Sequence, residues 1–210
     1  METDKLIASL LLQIKAIKLS PASPFTWASG WKSPIYCDNR KTLSYPLVRK
    51  TIRDEFVIRI RDEYPDAQLI AGVATGAIAH GILVAEAMGL PFIYVRPEAK
   101  GHGLGNQIEG DYTVGMKTVI IEDLISTGGS SLAAFKALKI AGLDIQGMLA
   151  IFTYGFRISE DNFKAAGCPI DTLSNYGSLL ALAIQTGEIL PEYENILKQW
   201  REEPDRWGRT

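Results

Sequence analysis

From residue 69 onward the chain repeats one pattern: a short, wholly apolar run, a stretch of helix length, then another apolar run. The runs are Leu69-Ile70-Ala71, Pro91 to Val95, Thr118 to Ile121 and Gly147 to Phe152. A strand that is apolar on both faces needs cover on both faces, and helix-length spacers supply the crossovers that keep successive strands parallel. The pattern therefore predicts an α/β fold, a doubly wound parallel sheet flanked by helices, with ligands at the carboxyl ends of the strands. The spacers predict helices over 77–88 and 130–141, capped at their C-termini by Gly89 and Gly142.

Upstream, Leu6, Ile7, Leu10, Leu11, Ile14 and Ile17 recur at three- and four-residue intervals, the stripe of a first helix laid over a core. Phe25 to Arg40 breaks into short strand-like pieces punctuated by glycine and proline, and Ser44 is expected to cap a helix with Pro46 in its first turn. The charged tail after Pro191 reads as a surface helix. No stretch in the middle has the composition of a linker, so the 210 residues are expected to form a single domain. Its core would be about 46–170, with a small N-terminal hood, about 1–45, completed by C-terminal elements.

Composition narrows the partners. With 47% hydrophobic and 22% charged residues the chain has the balance of a soluble protein, and no apolar run approaches the roughly 18 residues of a membrane span. A net charge of −2 argues against a broad nucleic-acid surface, which leaves a small-molecule partner. The opening Met1-Glu2-Thr3-Asp4-Lys5 is acidic where a secretory leader is basic. Cys37 and Cys168 form no metal-ligand pattern and are expected to be reduced thiols, so the expected compartment is the cytoplasm.

The most informative stretch is Val119 to Ser131, reading VIIEDLISTGGSS. Glu122 and Asp123 close an apolar strand, where charge is costly unless it faces a ligand. Hydroxyls and glycines then open a helix whose first N–H groups and dipole favour an anion. Carboxylates beside a phosphate cradle suit ribose hydroxyls or a metal, so the expected ligand is a phosphorylated sugar. No Gly-x-x-x-x-Gly-Lys-Ser/Thr occurs, which excludes a P-loop.

This run resembles the 5-phosphoribosyl 1-pyrophosphate (PRPP) signature of type I phosphoribosyltransferases. The resemblance implies that Glu122 and Asp123 bind the ribose 2′ and 3′ hydroxyls. It also implies that Leu124 and Ile125 lead into a loop, Ser126, Thr127, Gly128, Gly129 and Ser130, that holds the 5′-phosphate. A second turn, Gly72-Val73-Ala74-Thr75-Gly76, also presents backbone N–H groups between strand and helix, though such turns serve packing equally well. Beside the signature it resembles the family's pyrophosphate loop.

Between Val95 and Gly110, Arg96, Lys100 and His102 stand among glycines at 101, 103, 105 and 110, which disfavour helix and strand and predict a mobile lid. The segment fails as a dinucleotide fingerprint because position 106 is Asn. It resembles the catalytic loop of orotate phosphoribosyltransferases, with Pro97 where the common form has a further lysine. Phe25, Thr26, Ser29, Gly30, Ser33, Pro34, Tyr36, Asp38 and Arg40 likewise resemble that family's hood, although physics alone allows an ordinary hairpin there. Ala28 and the Thr75-Gly76 pair depart from contacts that some members make.

Membership implies transfer of the phosphoribosyl group of PRPP to N1 of orotate, yielding orotidine 5′-phosphate and pyrophosphate. The implied catalytic residues are Lys100, His102 and Asp123, with Arg96 on PRPP and with Ser126 and Tyr36 on orotate. Mg²⁺ would be carried mainly by PRPP, without a protein metal site, and a homodimer would share the lid across subunits. Two rivals share parts of this pattern, a purine or uracil phosphoribosyltransferase and a non-catalytic PRPP-sensing regulator. Lys100 and His102 in the lid, and the hood run, favour the orotate enzyme. Arg157 is read as a surface residue.

Overall fold

The structure is a computed structural model that describes residues 2–27, 29–97 and 107–208. Helix α1 (Thr3–Gln13) buries Ile7 and Leu11 of the expected stripe together with Ala8 and Leu12, while Leu6 and Leu10 are only half-buried. Ile17, expected on that helix, lies instead in strand β1 (Ile17–Leu19). The helix stops because Lys15 takes a left-handed φ of 55° and Ala16 N–H turns back onto the Leu11 carbonyl at 2.9 Å.

Strands β2 (Phe25–Thr26) and β3 (Lys32–Ser33) form a small hairpin, and β4 (Ile35–Cys37) pairs antiparallel with β1. A 3-10 turn over Asn39–Ser44 leads into α2 (Pro46–Glu63). Pro46 occupies the first turn as expected, but the cap is Tyr45, because the turn still closes at Tyr45 N–H onto the Thr42 carbonyl, 3.0 Å. Ser44 belongs to that turn and caps nothing.

The alternating region follows: β5 (Leu69–Val73), α3 (Ile78–Met88), β6 (Phe92–Val95), β7 (Ile108–Glu109), β8 (Lys117–Ile125), α4 (Gly129–Ile140) and β9 (Asp144–Thr153). It ends with α5 (Arg157–Ala166), β10 (Ile170–Asn175), α6 (Tyr176–Gln185) and, beyond a 3-10 turn, α7 (Glu194–Glu202). The sheet order is β10-β9-β8-β5-β6-β7, parallel except for the short antiparallel edge strand β7. Gly89 caps α3 at φ 67°, while α4 ends on Ala141 with Gly142 one residue later at φ 81°.

Strand alternation sorts the core into two layers. Ile70, Val119, Ile121, Leu149 and Ile151 pack with residues of α1, α2, α3 and α6, whereas Leu69, Ala71, Ile120, Met148 and Ala150 pack with those of α4 and α5. The doubly wound expectation therefore holds, with a hood of paired short strands beside it. From β5 the chain moves outward to β6 and β7, and from β8 it moves the other way to β9 and β10. The carboxyl ends of β5 and β8 thus flank the point where strand order reverses, the standard crevice for ligands in such sheets.

The C-terminal tail is corrected by the structure. Helix α7 is no mere surface helix, because Leu197 and Trp200 are both 0% exposed. The Trp200 ring lies 5.3 to 5.8 Å, centroid to centroid, from Trp27, Tyr154, Phe156 and Tyr176. That aromatic cluster ties the tail to the hood and to the end of β9.

Candidate active site

Strand β8 continues to Ile125, so Glu122 and Asp123 sit within it rather than at its end. Neighbouring residues on a strand point to opposite faces, and the pair divides accordingly. Glu122 turns toward α4, where it is 4% exposed. Its Oε2 accepts from the Ser131 hydroxyl at 2.7 Å and its Oε1 from Asp123 N–H at 2.9 Å. Asp123 turns the other way and is half-buried above the turn that follows β5. A Cβ on Gly76 would lie 2.2 Å from Asp123 Oδ2, so the carboxylate rests directly on the Gly76 backbone. The peptide joining Ala74 and Thr75 in this turn is cis.

Burial pushes both carboxyls above the usual carboxylate range. Glu122 rises to about 8, chiefly through desolvation and then through the charge of Asp123, with Ser131 opposing the shift. Asp123 is raised by desolvation, against the opposing pull of its hydrogen bonds and of the Arg40 charge. Carboxylates held this way gain from hydroxyl hydrogens and repel phosphate.

The stretch read from the sequence as a phosphate loop lies next door, between β8 and α4. Ser126 and Thr127 leave β8 half-buried, and Gly128 caps α4 with a left-handed φ of 82°. A Cβ at Gly128 would come within 2.6 Å of Phe163 Cε2, so only glycine fits this backbone. Gly129 and Ser130 are exposed at the first turn, whose N–H groups have no acceptor within a helix. Ile125 is buried against the α4 layer, which leaves only its main chain for a ligand.

Beside the cradle a cavity of about 270 Å³ is lined by Thr26, Trp27, Tyr36, Cys37, Leu124, Ser126 and Tyr154. Tyr36 and Ser126, which the sequence reading put on the base, therefore meet in one cavity. Trp27 and Tyr154 were not singled out. The alternation of Phe152, Tyr154 and Phe156 at the end of β9 is the signal that pointed there. Burial raises the Tyr154 phenol well above its usual range, so it stays a neutral hydroxyl.

Arg96 follows β6, paired with Glu109 of β7 at 3.1 Å, and its N–H bonds the Gln107 carbonyl at 2.8 Å. Lys100 and His102, which the sequence reading placed in a lid, lie outside the described residues. Arg157 is a surface residue, with its side chain 92% exposed.

A mostly parallel sheet with the acid pair, the glycine-rich start of α4 and the glycine turn at its switch point defines a phosphoribosyltransferase architecture. A phosphoribosyltransferase from Corynebacterium diphtheriae superposes with a TM-score of 0.69 and 25% identity, over 85% of this chain and 99% of that one. No family model matches the sequence. An orotate phosphoribosyltransferase of Porphyromonas gingivalis is 53% identical over 204 residues, 97% of each chain. Another, of Cytophaga hutchinsonii, is 53% identical over 209 residues and all of both chains. The chain belongs to the orotate phosphoribosyltransferase family.

Proposed function

We propose that the chain transfers the phosphoribosyl group of PRPP to N1 of orotate, forming orotidine 5′-phosphate and pyrophosphate for pyrimidine nucleotide synthesis. The observation that carries this reading is the meeting, at one switch point, of Asp123 on Gly76, the Ser126 to Ser130 cradle and the aromatic cavity. Asp123 accepts hydrogen bonds from the ribose hydroxyls, and Glu122 fixes the Asp123 N–H from the opposite face. Leu124, Ile125, Ser126, Thr127, Gly128, Gly129 and Ser130 wrap the 5′-phosphate, largely through main-chain N–H groups. Orotate lies in the cavity against Tyr36, with its carboxylate toward Ser126.

The bond from C1 of ribose to pyrophosphate breaks while N1 arrives on the opposite face and sheds its proton. Rate enhancement then comes from alignment and from cations at the leaving pyrophosphate, the roles given to Arg96, Lys100 and His102. Among the described residues no three His, Cys, Asp or Glu side chains cluster as a metal site. Mg²⁺ would be carried mainly by PRPP, where it would offset the charge of the leaving pyrophosphate. A closed lid keeps water from the activated sugar. The working unit is a cytoplasmic homodimer in which each lid serves its partner's site; no helix among the described residues is long and apolar enough to cross a membrane.

The test is spectroscopic. Orotate's near-ultraviolet absorbance should fall when PRPP and Mg²⁺ are added to the protein, and should stay constant when either is withheld. Unchanged absorbance with all components present would refute the assignment.

A further inference from the structure

The acid pair is held from behind by a chain of buried polar groups. Asn39, 1% exposed in the 3-10 turn, donates from Nδ2 to the main-chain carbonyl of Asp123 at 2.6 Å. Its Oδ1 accepts from the Cys37 thiol at 3.3 Å, which fixes the way the amide faces. The Asn39 carbonyl accepts from Thr42 Oγ1 at 2.5 Å. A hydroxyl has one hydrogen, so with that hydrogen committed Thr42 is an acceptor toward His80 Nε2, 2.9 Å away. His80 thus carries its proton on Nε2.

His80 is fully buried on α3, the helix that begins just after the Gly72 to Gly76 turn. The chain of bonds therefore links the two sides of the crevice, from the Asp123 segment of β8 through the 3-10 turn to the helix behind Gly76. Asp123 rests on Gly76 with no room for even one methyl group, so a shift of the Asp123 segment alters that contact directly. Cohesion alone would be served as well by apolar side chains, which carry no cost of burying amide, hydroxyl and imidazole.

We propose that Asn39, backed by Thr42 and His80, is a positioning relay that sets the Asp123 main chain against the Gly76 turn and so presents the carboxylate to the ribose of PRPP. None of the three touches substrate in this account, which rests on the reading of Asp123 as the ribose ligand. Losing the relay should weaken the sugar donor far more than the base.

Calorimetric titration of the full-length protein with Mg²⁺ and PRPP, and separately with orotate, tests this alongside thermal melting. Asn39→Ala and Thr42→Val should each weaken PRPP by about tenfold and change orotate by less than about twofold, with similar melting temperatures. Thr42→Ser, which restores the hydroxyl, should recover most of the PRPP affinity. If Asn39→Ala fails to fold, the Thr42 pair still decides the matter. PRPP affinity within about twofold of the parent in the folded variants would overturn the relay, as would equal loss of both ligands in step with a lower melting temperature. Asp123→Asn separates the two levels of the argument. If it loses PRPP while Asn39→Ala and Thr42→Val keep it, the relay alone is wrong; if it also keeps PRPP, the ribose reading fails and the relay with it.

Discussion

At Glu122 and Asp123 the two-residue period of a strand decides chemistry, because neighbours that look equivalent in sequence face different layers. Glu122 holds its proton in the native state to a higher pH than in the unfolded chain, its carboxyl being raised from 4.5 to about 8. Between those values the native state binds more protons, so this group makes stability fall as pH rises through the window. Glu122→Gln keeps an acceptor for Asp123 N–H and offers Ser131 a donor, and it cannot ionise. Urea unfolding from pH 5 to 8 should show a shallower decline for Glu122→Gln than for the parent, and parallel curves would contradict the burial argument. On the other face, Gly76→Ala should displace the Asp123 carboxylate from contact at 2.2 Å. We expect PRPP affinity to drop by about tenfold or more with little change in melting temperature, and an unchanged affinity by calorimetry would count against the Asp123 assignment. The acidic pair and the glycines were legible in sequence because charge and doubled glycine are costly in a core. Their opposite orientations were not, since they depend on β8 continuing past Ile121.

Elements that are apolar on both faces declared themselves: β5, β8 and β9 contain the expected runs, and β6 contains all of its run but Pro91. Their ends were less legible, because β8 keeps pairing with β9 through Glu122, Leu124 and Ile125 even after its apolar run stops. Helix α7 was expected, but its burial was not legible, because it has only Leu197 and Trp200 as deep anchors within a charged segment. Yet Trp200 supports Trp27 and Tyr154, two walls of the base cavity. Trp200→Ala should cost about 3–5 kcal/mol in urea unfolding, the usual range for removing a buried tryptophan, and should raise the KM for orotate more than that for PRPP. A loss below about 1 kcal/mol would show that α7 is peripheral after all.

For the molecule as a whole, topology makes the site. The sheet order brings the turn after β5 and the loop after β8 side by side at the switch point, where the proposed sugar site needs both. The lid adds the claim of a shared dimer. Mixing Lys100→Ala subunits with Asp123→Asn subunits should restore roughly a quarter of parental activity, because each hybrid dimer then contains one intact site. Hybrids seen by native mass spectrometry yet inactive would mean that each lid serves its own subunit. Underneath these details stands the claim that the hood and cavity select orotate among bases. Incubating the protein with PRPP, Mg²⁺ and equal amounts of orotate, uracil and hypoxanthine, then identifying nucleotides by mass, measures that choice in one reaction. Orotidine 5′-phosphate as the sole nucleotide is the predicted result; uridine or inosine monophosphate in comparable yield would contradict it.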